Sequence, residues 1–327
     1  MSLPPILRIP TGRRPRAASP AAAFTVVELL VSVTILTLVL TLLLGVVSRV
    51  SNLWSLSSAR IDAFQNARFA FQTLSRQLSR ATLNPYLGYD NDANPQRYLR
   101  KSELKFFCGP AGADQAPGQA HCGTALFFIA PAGRTDEPAS YGALESLLNV
   151  CGYYVDFTTD PDRPPHVASS PHRYRLMQRV RQTEHLAMES ADNTPWYLWK
   201  DPENHSLAEN IIALIIRPQD PAATPADLTV DYRYDSALNA TASPQPPHAN
   251  RLPPVLALTL IAIDEASARR LDDGAREPTL IANLLRNRFA LASEYEKDLE
   301  DVRAGLDGAG ISCRIFSGSI PIREATR

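Results

Sequence analysis

One long apolar run stands near the start of the chain. Residues 24–47, FTVVELLVSVTILTLVLTLLLGVV, contain Glu28 as their only charged residue. A helix rises about 1.5 Å per residue, so this run covers about 36 Å, more than the roughly 30 Å of a membrane's hydrocarbon core. The run therefore predicts a single membrane-spanning helix.

A second helical pattern follows the run without an intervening proline. In residues 48–83 the apolar side chains recur at every third or fourth position, which is typical of a helix with one buried face. They are Phe64, Ala67, Phe71, Leu74, Leu78 and Ala81, and arginines lie on the other faces at Arg60, Arg68, Arg76 and Arg80. We predict that the first helix continues to about Leu83 as an amphipathic half.

The pattern changes after Pro85 to short apolar or alternating runs separated by Pro- or Gly-rich loops, which is typical of strands. The predicted strands are 104–107, 125–130, 152–157, 174–177, 211–216, 228–234, 255–263 and 311–322. Two further helices are predicted at 266–271 and 280–306. We therefore expect residues 84–327 to form a globular α+β head with an antiparallel or mixed sheet.

The charge distribution orients the predicted span. Residues 1–23 form a basic leader with four arginines and no acidic residue, a charge of +4. The positive-inside rule places this leader in the cytoplasm and the head on the opposite side. A secretory signal peptide fits less well, because its apolar core is only about 7–15 residues long and residues 48–52 offer no small-x-small cleavage site. Over the whole chain 33 basic residues balance 34 acidic ones, so we expect no nucleic-acid binding.

The carboxylate of Glu28 needs a partner if the run spans a membrane. An acid at the centre of a span costs roughly 2.5–3.5 kcal/mol, and less near an end. Two opposite charges in apolar surroundings cost much less when they are paired than when each is alone. An intramembrane Glu is therefore a functional hypothesis whose partner has to be found.

The residues before Glu28 suggest that partner. Ala23-Phe24-Thr25-Val26-Val27-Glu28, between the basic leader and the apolar run, resembles the class III signal of type IV prepilins and pseudopilins. The resemblance implies cleavage between Ala23 and Phe24 by a prepilin peptidase and N-methylation of Phe24. Ala23 stands where that family usually has Gly, whereas Thr25 and Glu28 match its pattern.

The same resemblance implies a role for Thr25 and Glu28 in assembly and subunit register. After cleavage, Thr25 and Glu28 would lie near the new N-terminus, where the family uses the carboxylate to meet the N-terminal ammonium of a neighbouring subunit and so to fix subunit register. The implied partners are other prepilin-like subunits and an inner-membrane assembly platform. The implied location is the bacterial inner membrane, with the head in the periplasm and the subunit extractable into a filament.

Further segments extend the resemblance over nearly the whole chain. Four segments resemble the prepilin-like family called Verru_Chthon cassette protein C. They are QNARFAFQTLSRQLSRATLNPYLGYD, LAENIIALIIRP, LPPVLALTLIAIDEASARRL and CRIFSGSIPIRE. The arrangement is similar, more loosely, to the J-type minor pseudopilins of type II secretion. The resemblance implies a pilin-like fold and no enzymatic activity. Because the head is larger than a repeating shaft subunit would tolerate, we expect a tip or initiating position in a filament.

Four cysteines lie on the predicted exported side, where disulfides are permitted. There are three possible disulfide connectivities for Cys108, Cys122, Cys151 and Cys313, and the sequence alone does not choose among them. Cys108 with Cys122 is the most local pair, across a Gly- and Pro-rich loop, while Cys151 fits a buried small hydrophobe. A zinc site formed by His121, Cys122 and Cys108 lacks the paired C-x2-C spacing, so we predict no metal and no cofactor.

The remaining motifs give no enzymatic signature. Residues 90–94 open like a calcium loop, but Pro95 and Lys101 stand where an EF-hand needs Gly and Glu, which favours a polar turn. The sequence shows no nucleophile motif and no phosphate-binding loop. The alternative hypothesis is a membrane-tethered periplasmic binding protein or enzyme whose single-pass anchor is not cleaved.

Overall fold

The computed structural model describes residues 25–91, 93–112, 117–144, 146–164, 166, 170–186, 195–198 and 203–325, with the backbone alone at 52, 53, 55–63 and 203. The chain divides into two units, Met1–Ser55 and Leu56–Arg327. The first unit contains the apolar start of the first helix, and the strands of the described residues lie in the second. The fold is α+β with antiparallel sheets, as the sequence predicts.

Helix α1 spans Val26–Leu78. In the first unit its hydroxyl side chains bond back to the helix itself: the Oγ of Ser32 donates to the carbonyl of Glu28 at 2.7 Å, and the Oγ1 of Thr37 donates to the carbonyl of Val33 at 2.7 Å. These bonds satisfy the hydroxyl donors inside the helix. The Ser and Thr residues of the apolar run are therefore compatible with surroundings that contain no water.

The second half of α1 carries the predicted buried stripe. Ala67, Ala70, Leu74 and Leu78 have 0% of their surface exposed, whereas Arg68 faces solvent. All four belong to the main hydrophobic core of the second unit, together with side chains from both large sheets. The amphipathic pattern is thus confirmed.

The end of α1 differs from the prediction. The helix stops at Leu78 and not at Leu83, because the amide of Ala81 bonds to the carbonyl of Leu78 in a tighter turn at 3.0 Å. The amide of Thr82 then donates to the carbonyl of Ile129 at 2.9 Å. The chain therefore leaves the helix to bond to the sheet.

Three antiparallel sheets follow α1. The strands are β1 Tyr86–Tyr89, β2 Tyr98–Lys101, β3 Phe107–Pro110, β4 Thr124–Pro131, β5 Leu148–Thr158, β6 Arg173–Arg181, β7 Glu203–Glu209, β8 Ile211–Gln219, β9 Tyr234–Asp235, β10 Val255–Ile263 and β11 Cys313–Pro321. The largest sheet has the order β7-β6-β5-β4-β3-β9, a second has the order β11-β10-β8, and β1 pairs with β2. A single parallel bridge joins Gly123, just before β4, to Leu214 in β8.

The six-stranded sheet has apolar layers on both faces. Along β4, Leu126 and Phe128 belong to the main core that includes α1, whereas Phe127 and Ile129 belong to a second cluster. This alternation follows from the two-residue period of a strand. Because both faces are covered, β4 is apolar at nearly every position. Trp196 and its neighbour Tyr197 lie in the second cluster, so the aromatic segment there anchors a loop to the core.

Most of the predicted strands are confirmed, but the one at 228–234 is wrong. Only Tyr234 of that segment belongs to a strand. Val230 is 72% exposed and Tyr232 has a φ of 62°, a left-handed conformation that interrupts an extended chain. The predicted strand 104–107 begins only at Phe107. The sequence analysis missed β1, β2 and β7.

The remaining helices are α2 Pro138–Tyr141, α3 Glu265–Arg270, α4 Thr279–Leu285 and α5 Tyr295–Gly308. The prediction for 266–271 is confirmed within one residue at each end. The single helix predicted for 280–306 is wrong, because Asn287 and Phe289 have φ values of 59° and 55° and interrupt it. The amide of Phe289 donates to the Oδ2 of Asp298 at 2.7 Å, which ties this interruption to α5.

Candidate functional site

The predicted site surrounds the start of α1. Ala23 and Phe24, the residues of the predicted cleavage bond, lie outside the described residues. Thr25 and Glu28 are described, and both are exposed. The structure therefore shows the first-turn geometry of the site and not the bond that would be cut.

Thr25 and Glu28 form a reciprocal capping box. The backbone amide of Glu28 donates to the Oγ1 of Thr25 at 3.2 Å, and the backbone amide of Thr25 donates to the Oε2 of Glu28 at 3.2 Å. This is the S/T-x-x-E arrangement that satisfies two free amides at a helix N-terminus. A negative charge in the first turn is also favourable with respect to the helix dipole. Glu28 therefore has a local partner before any partner from another chain is considered.

The apolar side chains that follow are exposed all around the helix. The large aliphatic residues from Val26 to Val47 have between 44% and 77% of their surface exposed. Val26–Ser51 is long and apolar enough to cross a membrane, with a mean hydropathy of 2.7 and no burial within the structure. So large an apolar surface requires lipid or another protein as its environment.

Glu28 is the acidic residue of the first turn of α1. Between residues 25 and 47 Glu28 is the one charged residue, so no basic side chain of that segment neutralises it. The Oε2 of Glu28 also accepts from the Oγ1 of Thr25 at 3.2 Å. This length is at the long end of the usual range of about 2.7–3.2 Å for an N–H donor, and it exceeds the usual range of about 2.5–3.0 Å for an O–H donor. A charged ammonium would form a shorter and stronger bond with the same carboxylate.

The disulfide that the sequence permits between Cys108 and Cys122 is not formed in the structure, where Cys108, Cys122, Cys151 and Cys313 are all free thiols. In the β3–β4 ladder Cys108 lies opposite Leu126, four positions beyond Cys122. The hairpin, and not a disulfide, closes this loop.

The calcium-like segment forms a polar turn, as predicted. The Oδ1 of Asp90 accepts from the backbone amides of Asn91, Gln96 and Arg97 at 2.9, 3.0 and 3.3 Å. The amide of Gln96 is the main cause that lowers the pKa of the Asp90 carboxyl. The carboxylate therefore holds together the connection between β1 and β2.

In the structure the group of possible metal ligands around His121 and Cys122 contains Glu277 and not Cys108. Cys108 is in the β3 ladder with Leu126 opposite it, but Glu277 lies beside His121 and Cys122. Sequence reasoning missed Glu277, which is 156 residues from His121 and in no local motif with it. Only the tertiary structure brings the three together.

Comparison with known proteins gives no family assignment. No protein-family model matches the chain, and no curated protein matches it. The likeness to prepilins and pseudopilins therefore depends on the residues of the chain itself, above all on residues 23–28 and the apolar run behind them.

Proposed function

We propose that this chain is a prepilin-like minor pseudopilin. A prepilin peptidase would cut between Ala23 and Phe24, and Phe24 would be N-methylated. The subunit would stay in the bacterial inner membrane with a pilin-like periplasmic head. It would then enter a type II secretion or type IV pilus-like filament at its tip or initiation complex, with other prepilin-like subunits and an assembly platform as partners. No catalytic role and no nucleic-acid partner are part of this proposal.

The observation that carries the proposal is an exposed apolar helix with one carboxylate in its first turn. Lipid tails are as apolar as Leu, so apolar contact alone gives little driving force for helices to associate within a membrane. A charge pair is far more selective, because an unpaired charge in the same surroundings is costly. Glu28 is therefore the residue of this helix best able to determine which subunit binds and in what register.

The capping box makes this role compatible with the intact chain. Before cleavage, the Oε2 of Glu28 is bonded to the amide of Thr25, so insertion of the precursor does not leave a bare carboxylate. Cleavage would create an ammonium group on Phe24, one residue before Thr25. The same carboxylate could then exchange two weak local bonds for an ammonium from an adjoining subunit.

Substitutions at Glu28 test this proposal. Gln is the other residue that a capping box accepts at this position, so Glu28→Gln keeps the helix start and removes only the charge. We expect Glu28→Gln and Glu28→Ala to insert normally and to reduce co-purification with prepilin-like subunits by about tenfold or more, or about 1.4 kcal/mol.

Thr25→Ala is the matched control, because it removes the hydroxyl of the capping box and leaves the charge. We expect it to retain most of the co-purification. Wild-type assembly by Glu28→Gln would contradict the pairing role of Glu28.

The capping box also favours the second candidate, a tethered periplasmic binding protein or enzyme with an uncleaved anchor. In that protein the local bonds to Thr25 would be the whole role of the Glu28 carboxylate. Glu28→Gln would then behave as wild type in every assay, and the leader would remain attached.

A further inference from the structure

Three side chains with metal-ligand chemistry converge in the second unit. His121 and Cys122 lie in the turn before β4, and Glu277 lies just before α4. The ligand atoms of the three residues all lie within 4.8 Å of one another. The Nε2 of His121 is 2.7 Å from the Oε1 of Glu277. This cluster is distant in sequence from the start of α1 and independent of the function proposed there.

The backbone holds Cys122 in a fixed position. Its amide donates to the carbonyl of Gln119 at 3.0 Å, and its carbonyl accepts from the amide of Leu214 in β8 at 3.0 Å. Gly123 follows with a φ of +93°, and a Cβ atom there would lie 2.1 Å from the carbonyl oxygen of Leu214. Only glycine permits this approach of the β4 start to β8. The thiol is therefore presented by a rigid turn.

The thiol of Cys122 is buried beside the carboxylate of Glu277. Cys122 has 0% of its surface exposed. A divalent ion placed among the three ligand atoms would attract the carboxylate of Glu277 and deprotonate the thiol.

We propose that His121, Cys122 and Glu277 bind a zinc ion. Imidazole nitrogen, thiolate sulfur and carboxylate oxygen are the three kinds of ligand that Zn²⁺ takes in proteins, at about 2.0–2.1, 2.3 and 2.0–2.2 Å. Around a tetrahedral ion these lengths place the ligand atoms about 3.3–3.6 Å apart. In the structure the ligand atoms are between 2.7 Å and 4.8 Å apart, which includes that range. Side-chain rotations that move these atoms by about 1 Å would therefore bring them to the tetrahedral spacing.

Tyr174 supports the carboxylate from outside the ligand set. Its hydroxyl donates to the Oε1 of Glu277 at 2.9 Å. Hydrogen bonds of this kind orient a metal ligand and raise its affinity. The side chains of His121 and Glu277 are 17% and 26% exposed, so solvent reaches one side of the cluster and a water molecule can take the fourth position. The ion would tie the turn before β4 to the connection between α3 and α4.

A Cys-His nucleophile is the other chemistry that these residues could suggest. A nucleophilic thiolate requires an accessible, electropositive environment. The Cys122 thiol is fully buried and lies beside the carboxylate of Glu277, so the cluster suits a metal ion and does not suit attack on a substrate.

Cobalt titration of the metal-free full chain in detergent micelles tests the proposal. Co²⁺ reports on a zinc site because a thiolate ligand gives it an intense charge-transfer absorption. We expect one equivalent of Co²⁺ to produce that absorption, Zn²⁺ to abolish it, and Zn²⁺ to raise the thermal unfolding temperature. Absence of the thiolate band, or metal binding without it, overturns the proposal.

Substitutions assign the ligands. We expect Cys122→Ala to lose the band, and Cys151→Ala, at a thiol buried in β5 outside the cluster, to keep it. Glu277→Gln retains an oxygen that accepts from Tyr174 and loses the charge, so we expect Zn²⁺ affinity to fall at least tenfold in a chelator competition. Circular dichroism of each metal-free variant controls for folding. A band retained by Cys122→Ala, or unchanged affinity in Glu277→Gln, contradicts the assignment.

Discussion

The two halves of α1 contain similar aliphatic residues and place them in opposite environments. In the first unit Leu38 is 63% exposed, and its neighbours on every face of the helix are exposed too. In the second unit Leu74 is 0% exposed, and the apolar residues are confined to one stripe. The second half is covered by strands of its own unit, whereas the apolar side chains of the first half are exposed.

The difference shows that the spacing of apolar residues along a helix predicts which of its faces are buried. A helix that is apolar on all sides requires an apolar environment on all sides, and a helix with one apolar stripe requires one packed surface. The head supplies that surface through β-strands of both large sheets. The apolar half has the length of a membrane span and a single carboxylate, Glu28, in its first turn.

The same substitution in the two halves should have very different effects on the free energy of unfolding. Leu74→Ala leaves a cavity in the core and should cost about 2–5 kcal/mol. Leu38→Ala removes an exposed side chain and should change the stability of the head by less than about 0.5 kcal/mol. Urea unfolding of the full chain in detergent micelles, followed by near-UV circular dichroism, measures both. Equal losses would show that Leu38 also packs in a folded core.

A charge in the apolar half should affect the membrane and not the head. Leu38→Lys places an ammonium near the middle of the run, where insertion should become about 2.5–3.5 kcal/mol less favourable. The measurement is the fraction of chain that resists alkaline extraction from membranes. Leu38→Ala is its control, and extraction of Leu38→Lys equal to that of Leu38→Ala would contradict a membrane environment.

One buried charge of the head has a charged partner in the same unit. The Nη1 of Arg173, a residue that is 5% exposed, donates to the Oδ2 of Asp272 at 2.8 Å. This bond is the main cause that lowers the pKa of Asp272. A lowered folded-state pKa means that the stabilisation is complete above the unfolded-state value of about 3.9 and is lost as the pH falls through the lower folded-state value.

Asp272→Asn should therefore destabilise the head by up to about 1 kcal/mol at pH 7, because the carboxylate is exposed and Asn keeps one oxygen that can accept from Arg173. The variant should also lose less stability than the wild type on acidification below about pH 4. Urea unfolding at both pH values measures this, with Asp273→Asn at the adjacent exposed position as the control. If the free energy of unfolding of Asp272→Asn and of the wild type fell equally between the two pH values, the ion pair would be excluded as a source of acid sensitivity.

Strong periodic patterns predicted the fold well. The stripe at Leu74 and the apolar run behind Glu28 specify α1, and β4 and β10 are long apolar runs between turn signals. The prediction failed where a strand has few apolar residues and where a left-handed backbone conformation interrupts a helical pattern of apolar residues. Strand β7 is polar at most positions, and Asn287 interrupts a region whose apolar spacing alone is helical.

The candidate sites show the same division. Thr25 and Glu28 are three residues apart, so their capping box is a local property that a sequence motif can specify. Glu277 joins His121 and Cys122 only because the turn before β4 and the α3–α4 connection meet in space. No rule of sequence spacing connects residues that far apart. The third zinc ligand considered from the sequence was therefore Cys108, which lies in the β3 ladder.

The N-terminal residue of the mature protein tests the central proposal most directly. Intact-mass and N-terminal fragment spectra should be recorded for the full chain expressed with and without a prepilin peptidase, and for Ala23→Gly, which restores the residue usual before the cut. We predict a chain that begins at N-methylated Phe24 only when the peptidase is present, with processing at least as complete in Ala23→Gly. A leader that remains attached in both proteins despite an active peptidase, or a start at any residue other than Phe24, would contradict the pseudopilin assignment.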